Sequence, residues 1–138
     1  PTLDKGFSLA QITWPSTRDG KPRNIDLISV HLYFSRKDVR QMKIKEIVEI
    51  LSSRMNPTII MGDFNSERLA KESVIKELAT KTRFITYRPE SDDYAYYKDK
   101  RIDWILITID MEFVIYEVLP DTLSDHSMIV ADIRFKDK

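Results

Sequence analysis

The 138-residue chain contains no cysteine, which excludes disulfides and thiolate metal sites and leaves the compartment open. Glycine is scarce, with three residues, so a fibrous or low-complexity chain is excluded as well. Neither sign of charge is in excess. Lys plus Arg and Asp plus Glu each number 22, and a neutral chain exerts no overall pull on nucleic acid or a membrane surface. Any such binding has to be local. No apolar run approaches the ~20 residues that span a bilayer, and no signal peptide is visible. The chain opens on Pro1-Thr2 without an initiator methionine, so sequence is expected to precede it.

What is present is an ordinary globular composition, 42% hydrophobic and 32% charged. A chain of this length fits one domain, residues 1–138, and can bury roughly two-thirds of its unfolded surface. Phe7–Thr13 and Asn24–Leu32 read as strands, the second largely buried and ending at His31. From Arg36 to Met55 the apolar residues recur at three and four, which predicts a helix capped by Ser35 and stopped at Asn56-Pro57. Thr58–Met61 is apolar on both faces, as in a central strand of a covered sheet. A second helix is expected over Ser66–Ala79, capped by Ser66, with Leu69, Val74, Ile75 and Leu78 inward. Strands follow at Arg83–Tyr87, Arg101–Thr108, Met111–Leu119 and Ser127–Phe135, with a polar loop over Arg88–Lys100. The order is that of an α/β chain, in which strand ends gather on one rim.

Polar residues fall at those ends. In IIMGDFNS, Ile59 to Ser66, the strand runs straight into Gly62-Asp63-Phe64-Asn65. If the chain stays extended past Gly62, Asp63 and Asn65 share one side and Phe64 takes the other. A plain turn at a strand-to-helix junction explains the pair equally well. Asp103 interrupts RIDWILIT, a strand apolar on both faces, and a buried carboxylate there needs a partner. The chain has two histidines. His126, after Asp125 and before an apolar run, is well placed to be that partner, an arrangement suited to general acid or base chemistry.

The stretches VHL (Val30 to Leu32), GDFN (Gly62 to Asn65), RIDWI (Arg101 to Ile105) and SDH (Ser124 to His126) resemble, in order and spacing, the endonuclease/exonuclease/phosphatase superfamily that includes deoxyribonuclease I. The resemblance covers roughly Asn24 to Phe135. It implies a deoxyribonuclease I-like four-layer αββα sandwich and a metal-dependent hydrolase cleaving a phosphodiester or phosphomonoester. Asp63 resembles the residue that orients the attacking water, and Asn65 the one that holds the scissile phosphate. His126 resembles the histidine that contacts the phosphate and shares a proton with Asp103. His31 resembles the second histidine, near the leaving group. Asp125, with Asp63, matches the metal-site carboxylates, and Mg²⁺ or Mn²⁺ is the implied ion. Arg101, with Asn65 and His31, is a candidate substrate-binding residue.

Family domains are about twice this long, and their first half supplies a metal-binding Glu. Before His31 this chain has no glutamate, and Asp4, Asp19 and Asp26 are its carboxylates there. The chain therefore reads as the C-terminal half of the domain, weak or inactive alone. A bare apolar sheet face is expected, to be covered by the missing half or a second copy. The alternative is a non-catalytic binding or assembly fragment. For substrate, Lys37, Arg40, Lys43 and Lys45, and Lys98, Lys100 and Arg101 beside Tyr94, Tyr96 and Tyr97, are suited to nucleic acid, although zero net charge favours solvated surface. DNA, RNA, a sphingolipid head group and an inositol phosphate all remain open.

Overall fold

The computed structural model describes residues 5–15, 20–71, 73–91, 94, 100–120 and 124–136. Asp4, Asp19, Tyr96, Tyr97 and Lys98 lie outside them. Nine elements follow in order: β1 (Gly6–Trp14), β2 (Arg23–His31), α1 (Lys37–Ser52), β3 (Thr58–Asp63), α2 (Val74–Lys81), β4 (Phe84–Thr86), β5 (Asp103–Thr108), β6 (Met111–Leu119) and β7 (Met128–Phe135). Five strands form one sheet in the order β1-β2-β3-β5-β4, and β6-β7 is a separate hairpin. β2 and β3 are parallel, as α1 crosses over between them, and the other neighbours are antiparallel.

Alternation divides the five-stranded sheet into two faces. Ile28, Val30, Ile60, Trp104 and Leu106 point to the helices and pack with Ile44, Ile47, Ile75 and Leu78. On the reverse face Ile25, Ile59 and Ile107 pack with Met111 and, from the hairpin, Phe113, Ile133 and Phe135. Each such side chain contributes about 1.5–3 kcal/mol when fully buried. Helices, large sheet and hairpin make three layers of the expected four. The outer helix layer is not among the described residues.

Among the described residues, the reverse face is covered at one end only. Toward the other end it presents Ser8, Ala10 and Ser29, all exposed, with Met61 the large apolar side chain among them. The uncovered area is thus smaller and less apolar than expected, since the chain's own hairpin takes the Ile-rich half. Further exposed apolar groups, Val114, Ile115, Leu119, Met128 and Val130, belong to the hairpin.

Both helix caps differ from expectation. α1 begins after Arg36 with no side-chain cap, so Ser35 does not serve, and it ends at Ser52 before Asn56-Pro57. There the hydroxyls of Ser52 and Ser53 bond back to the carbonyls of Glu49 and Ile50, an alternative to helical pairing. α2 starts at Val74 rather than Ser66, because Ser73 Oγ accepts the Lys76 N–H. Ser66 Oγ instead accepts the Val74 N–H from across the intervening turn, and Leu69 is exposed rather than inward.

Candidate active site

Register assembles the site. His31 on β2 pairs with Asp63 on β3, and Asp63 pairs with Asp103 on β5, so three polar residues stand side by side on the reverse face at one rim. The ladder continues one step past the strand ends. Leu32 N donates to Asp63 O at 2.9 Å and Phe64 N to Ile102 O at 3.0 Å, which fixes the backbone beneath the row. Trp104, buried behind it, donates its indole N–H to Ser66 O at 2.9 Å.

Gly62 makes the row compact. Its φ is +136°, and a Cβ there would lie 2.1 Å from Val30 O, so only glycine permits β2 and β3 to approach this closely. The chain does not stay extended beyond Asp63. Asn65 adopts a left-handed conformation, φ 46°, its N–H donates to Asp63 Oδ1 at 2.8 Å, and Phe64 is buried. The pair is therefore brought together by an Asx turn rather than by the pleat. Asn65 Nδ2 then bonds Asp63 Oδ2 at 3.1 Å and Leu32 O at 2.8 Å, locking the aspartate from two sides.

His126 joins from the segment preceding β7. Its N–H donates to Ser124 Oγ at 3.1 Å, and its Nδ1 lies 2.7 Å from Asp103 Oδ2, the expected pairing. His31 Nε2 lies 3.6 Å from Asp63 Oδ2. The side chains of Asp63 and Asp103 are 18% and 16% exposed, against 58% for His31, so the row runs from a wet edge to a partly desolvated interior. Burial pushes the Asp103 carboxyl above the usual carboxylate range, and the Asp63 charge adds to this. The hydrogen bond and positive charge of His126 oppose it without reversing it.

Ligand atoms of Asp63, Asp103 and His126 lie within 4.8 Å of one another. Mg²⁺ is commonly held by one or two carboxylates plus waters and substrate phosphate oxygens, so this donor set fits it as part of a shell. Asp125 is exposed and does not join the group. Asp26 is remote: it sits five residues before His31 on β2, turned to the helix face, where Arg54 Nε and Nη2 bond it at 2.6 and 2.7 Å and Asn56 at 3.2 Å. It does not replace a metal-binding glutamate.

Arg101 corrects an expectation. Its guanidinium is buried, donates to the carbonyls of Arg88 and Tyr87 at 2.8 and 2.7 Å, and stacks 4.1 Å from the Trp104 ring centre. Tyr94 and Tyr116 flank it, so the residue pins the preceding loop to β5 instead of meeting substrate. Ser124, which fixes the His126 backbone, was not singled out by sequence. The signal lies in its position two residues before the histidine, the Ser-turn spacing.

The architecture matches that of solved endonuclease/exonuclease/phosphatase proteins. A family protein from Leptotrichia buccalis superposes with a TM-score of 0.69 at 21% identity, over 92% of this chain and 53% of that one. The human Nocturnin catalytic domain with bound sulfate gives 0.64 at 16% identity, over 95% and 61%. A mannosyl-6-phosphatase from Bacteroides thetaiotaomicron gives 0.62 at 17% identity, over 94% and 57%. The chain thus has the deoxyribonuclease I-like fold and spans between half and two-thirds of these structures. No protein-family model and no curated protein sequence matches it.

Proposed function

We propose that this chain carries the water-activating half of a metal-dependent phosphoesterase. The observation that carries the reading is the single row His31, Asp63, Asp103 across three strands, with His126 hydrogen-bonded to its inner end. Stability does not call for two aspartates side by side and part-buried, because like charges in register destabilise a sheet. Phosphoryl transfer calls for closely placed carboxylates and imidazoles, since it is governed by positioning and charge neutralisation. The fold shared with a mannosyl-6-phosphatase supports the same reading.

Asp63 takes the proton of the attacking water, and Asn65, whose side-chain amide donates to Asp63 and to Leu32 O, positions that carboxylate. With Nδ1 engaged by Asp103, His126 presents Nε2 to a phosphate oxygen, and Asp103 stabilises the imidazolium. His31, at the exposed end of the row, stands on the leaving-group side. Mg²⁺ or Mn²⁺, held by Asp63 with Asp103 beside it, would neutralise charge on the phosphate. The described residues supply only part of a shell, and an N-terminal half, or a second copy, is the proposed source of the rest. The substrate bond is a phosphodiester or a phosphomonoester.

The test is hydrolysis of bis(4-nitrophenyl) phosphate and 4-nitrophenyl phosphate by the complete domain with Mg²⁺, then with EDTA. Turnover of either that EDTA abolishes and Mg²⁺ restores supports the proposal. Phosphate-ester binding without turnover in the complete domain would leave the non-catalytic reading standing.

A further inference from the structure

Beyond the carboxylate row, a groove runs along the same rim between the start of α1 and the segment after β3. Phe34, Lys37, Lys71 and Lys100 line it, and so does Asn65, the residue that holds Asp63. All three lysines are exposed, and among the described residues lining the groove Glu67 is the acidic one. In a chain with balanced charge this is a local positive excess. Phe34 is 69% exposed. It is presented rather than loose, because Arg40 Nη1 bonds the carbonyls of Tyr33 and Phe34 at 2.6 Å each and fixes the backbone that carries the ring.

We infer that this groove binds the nucleotide next to the scissile ester of a single-stranded nucleic acid, phosphate against the lysines and base on Phe34. The inference rests on the phosphoesterase reading and adds the substrate class to it. Three cations around a narrow groove track a phosphate backbone, and a presented aromatic ring stacks an unpaired base; together they are the recognition chemistry of a single strand. A lone phosphomonoester would leave Phe34 with no base to stack. Asn65 connects the groove to the row, so a strand lying across it has its neighbouring phosphate at Asp63.

The test is fluorescence anisotropy of a labelled oligo(dT) on the 138-residue chain in EDTA, which blocks turnover. In the Lys37→Gln/Lys71→Gln/Lys100→Gln variant, the slope of log affinity against log salt should become shallower by about 2, since each neutralised phosphate of a single strand adds about 0.7 to it. Phe34→Ala should weaken binding about tenfold or more with the slope unchanged. Both variants alter exposed side chains, and their urea-unfolding midpoints should match that of the parent chain. Wild-type affinity and salt slope in both variants would overturn the inference. Stronger displacement of oligo(dT) by inositol hexakisphosphate or phosphatidylserine vesicles than by unlabelled oligo(dT) would overturn the nucleic-acid assignment. Groove-dependent binding without turnover in the complete domain would sink the phosphoesterase reading while sustaining the groove, and turnover with unaltered variant binding would do the reverse.

Discussion

The two ends of the five-stranded sheet treat buried charge in opposite ways. At one end Asp26, wholly buried, receives two short hydrogen bonds from Arg54 and one from Asn56, and these hold its carboxyl below the usual range against the opposing effect of burial. At the other end Asp103 stands in register with a second aspartate, has the His126 imidazole as its side-chain partner among the described residues, and is pushed up. The first arrangement favours the ionised folded state. The second disfavours the ionised form, so the sheet is stabilised by charge at one end and carries a perturbed carboxyl, the mark of a functional-site candidate, at the other.

That contrast breaks most sharply if activity fails to separate the two ends. In the complete domain, Asp63→Ala and His126→Ala should each lower kcat/KM by on the order of 10³-fold or more, since under the proposed mechanism each would remove a group acting mainly in the transition state. Asp26→Ala should leave the kcat of the remaining folded protein unchanged while lowering the urea midpoint, because it removes the hydrogen bonds from Arg54 and Asn56 and leaves a buried void. An activity loss in Asp26→Ala beyond its loss of folded protein would dissolve the division. Gly62→Ala should cost about 2 kcal/mol or more, through strain at positive φ and the clash with Val30 O, and should also lower activity, as it pushes the Asp63 strand from the His31 strand.

The smallest effect is one of pH. The folded pKa of Asp26 lies below its ordinary value of 3.8, so its stabilisation is fully present above that value and is lost as pH falls through the lowered folded value. Urea midpoints measured from pH 5 downward should fall in the parent chain more than in Asp26→Asn. Parallel curves would show that the Arg54 pair does not discriminate the two protonation states.

How far all this could be read in advance depended on how local each cause is. β6 was legible to its end residues, because strand propensity and flanking turns act within a few positions. The meeting of Asp103 and His126 was legible from a deficit: an apolar strand containing a carboxylate, and few residues able to satisfy it. The start of α2 was misplaced because Ser66 and Ser73 are both capable caps, and the choice lies in tertiary contacts of Ser66 with Val74 and Trp104. A gap of five from Leu69 to Val74, off the helical spacing, was the available warning. Arg101 gave no sign of its role, since an arginine at a strand start looks alike whether it meets solvent or an aromatic cage assembled from β5, β6 and Tyr94.

The single row of site residues has a consequence for how this protein can vary through insertion and deletion. His31, Asp63 and Asp103 are aligned by counting residues along three separate strands, and a one-residue insertion between Thr58 and Asp63 would hand Asp63 to the helix side, where Ile60 and Gly62 now face. The strands therefore behave like a reading frame. Length changes in the turn between β5 and β6 can accumulate without touching the row. Within β3 even a two-residue change, which restores the face, slides Asp63 some 7 Å along it, away from both neighbours, so the row is lost.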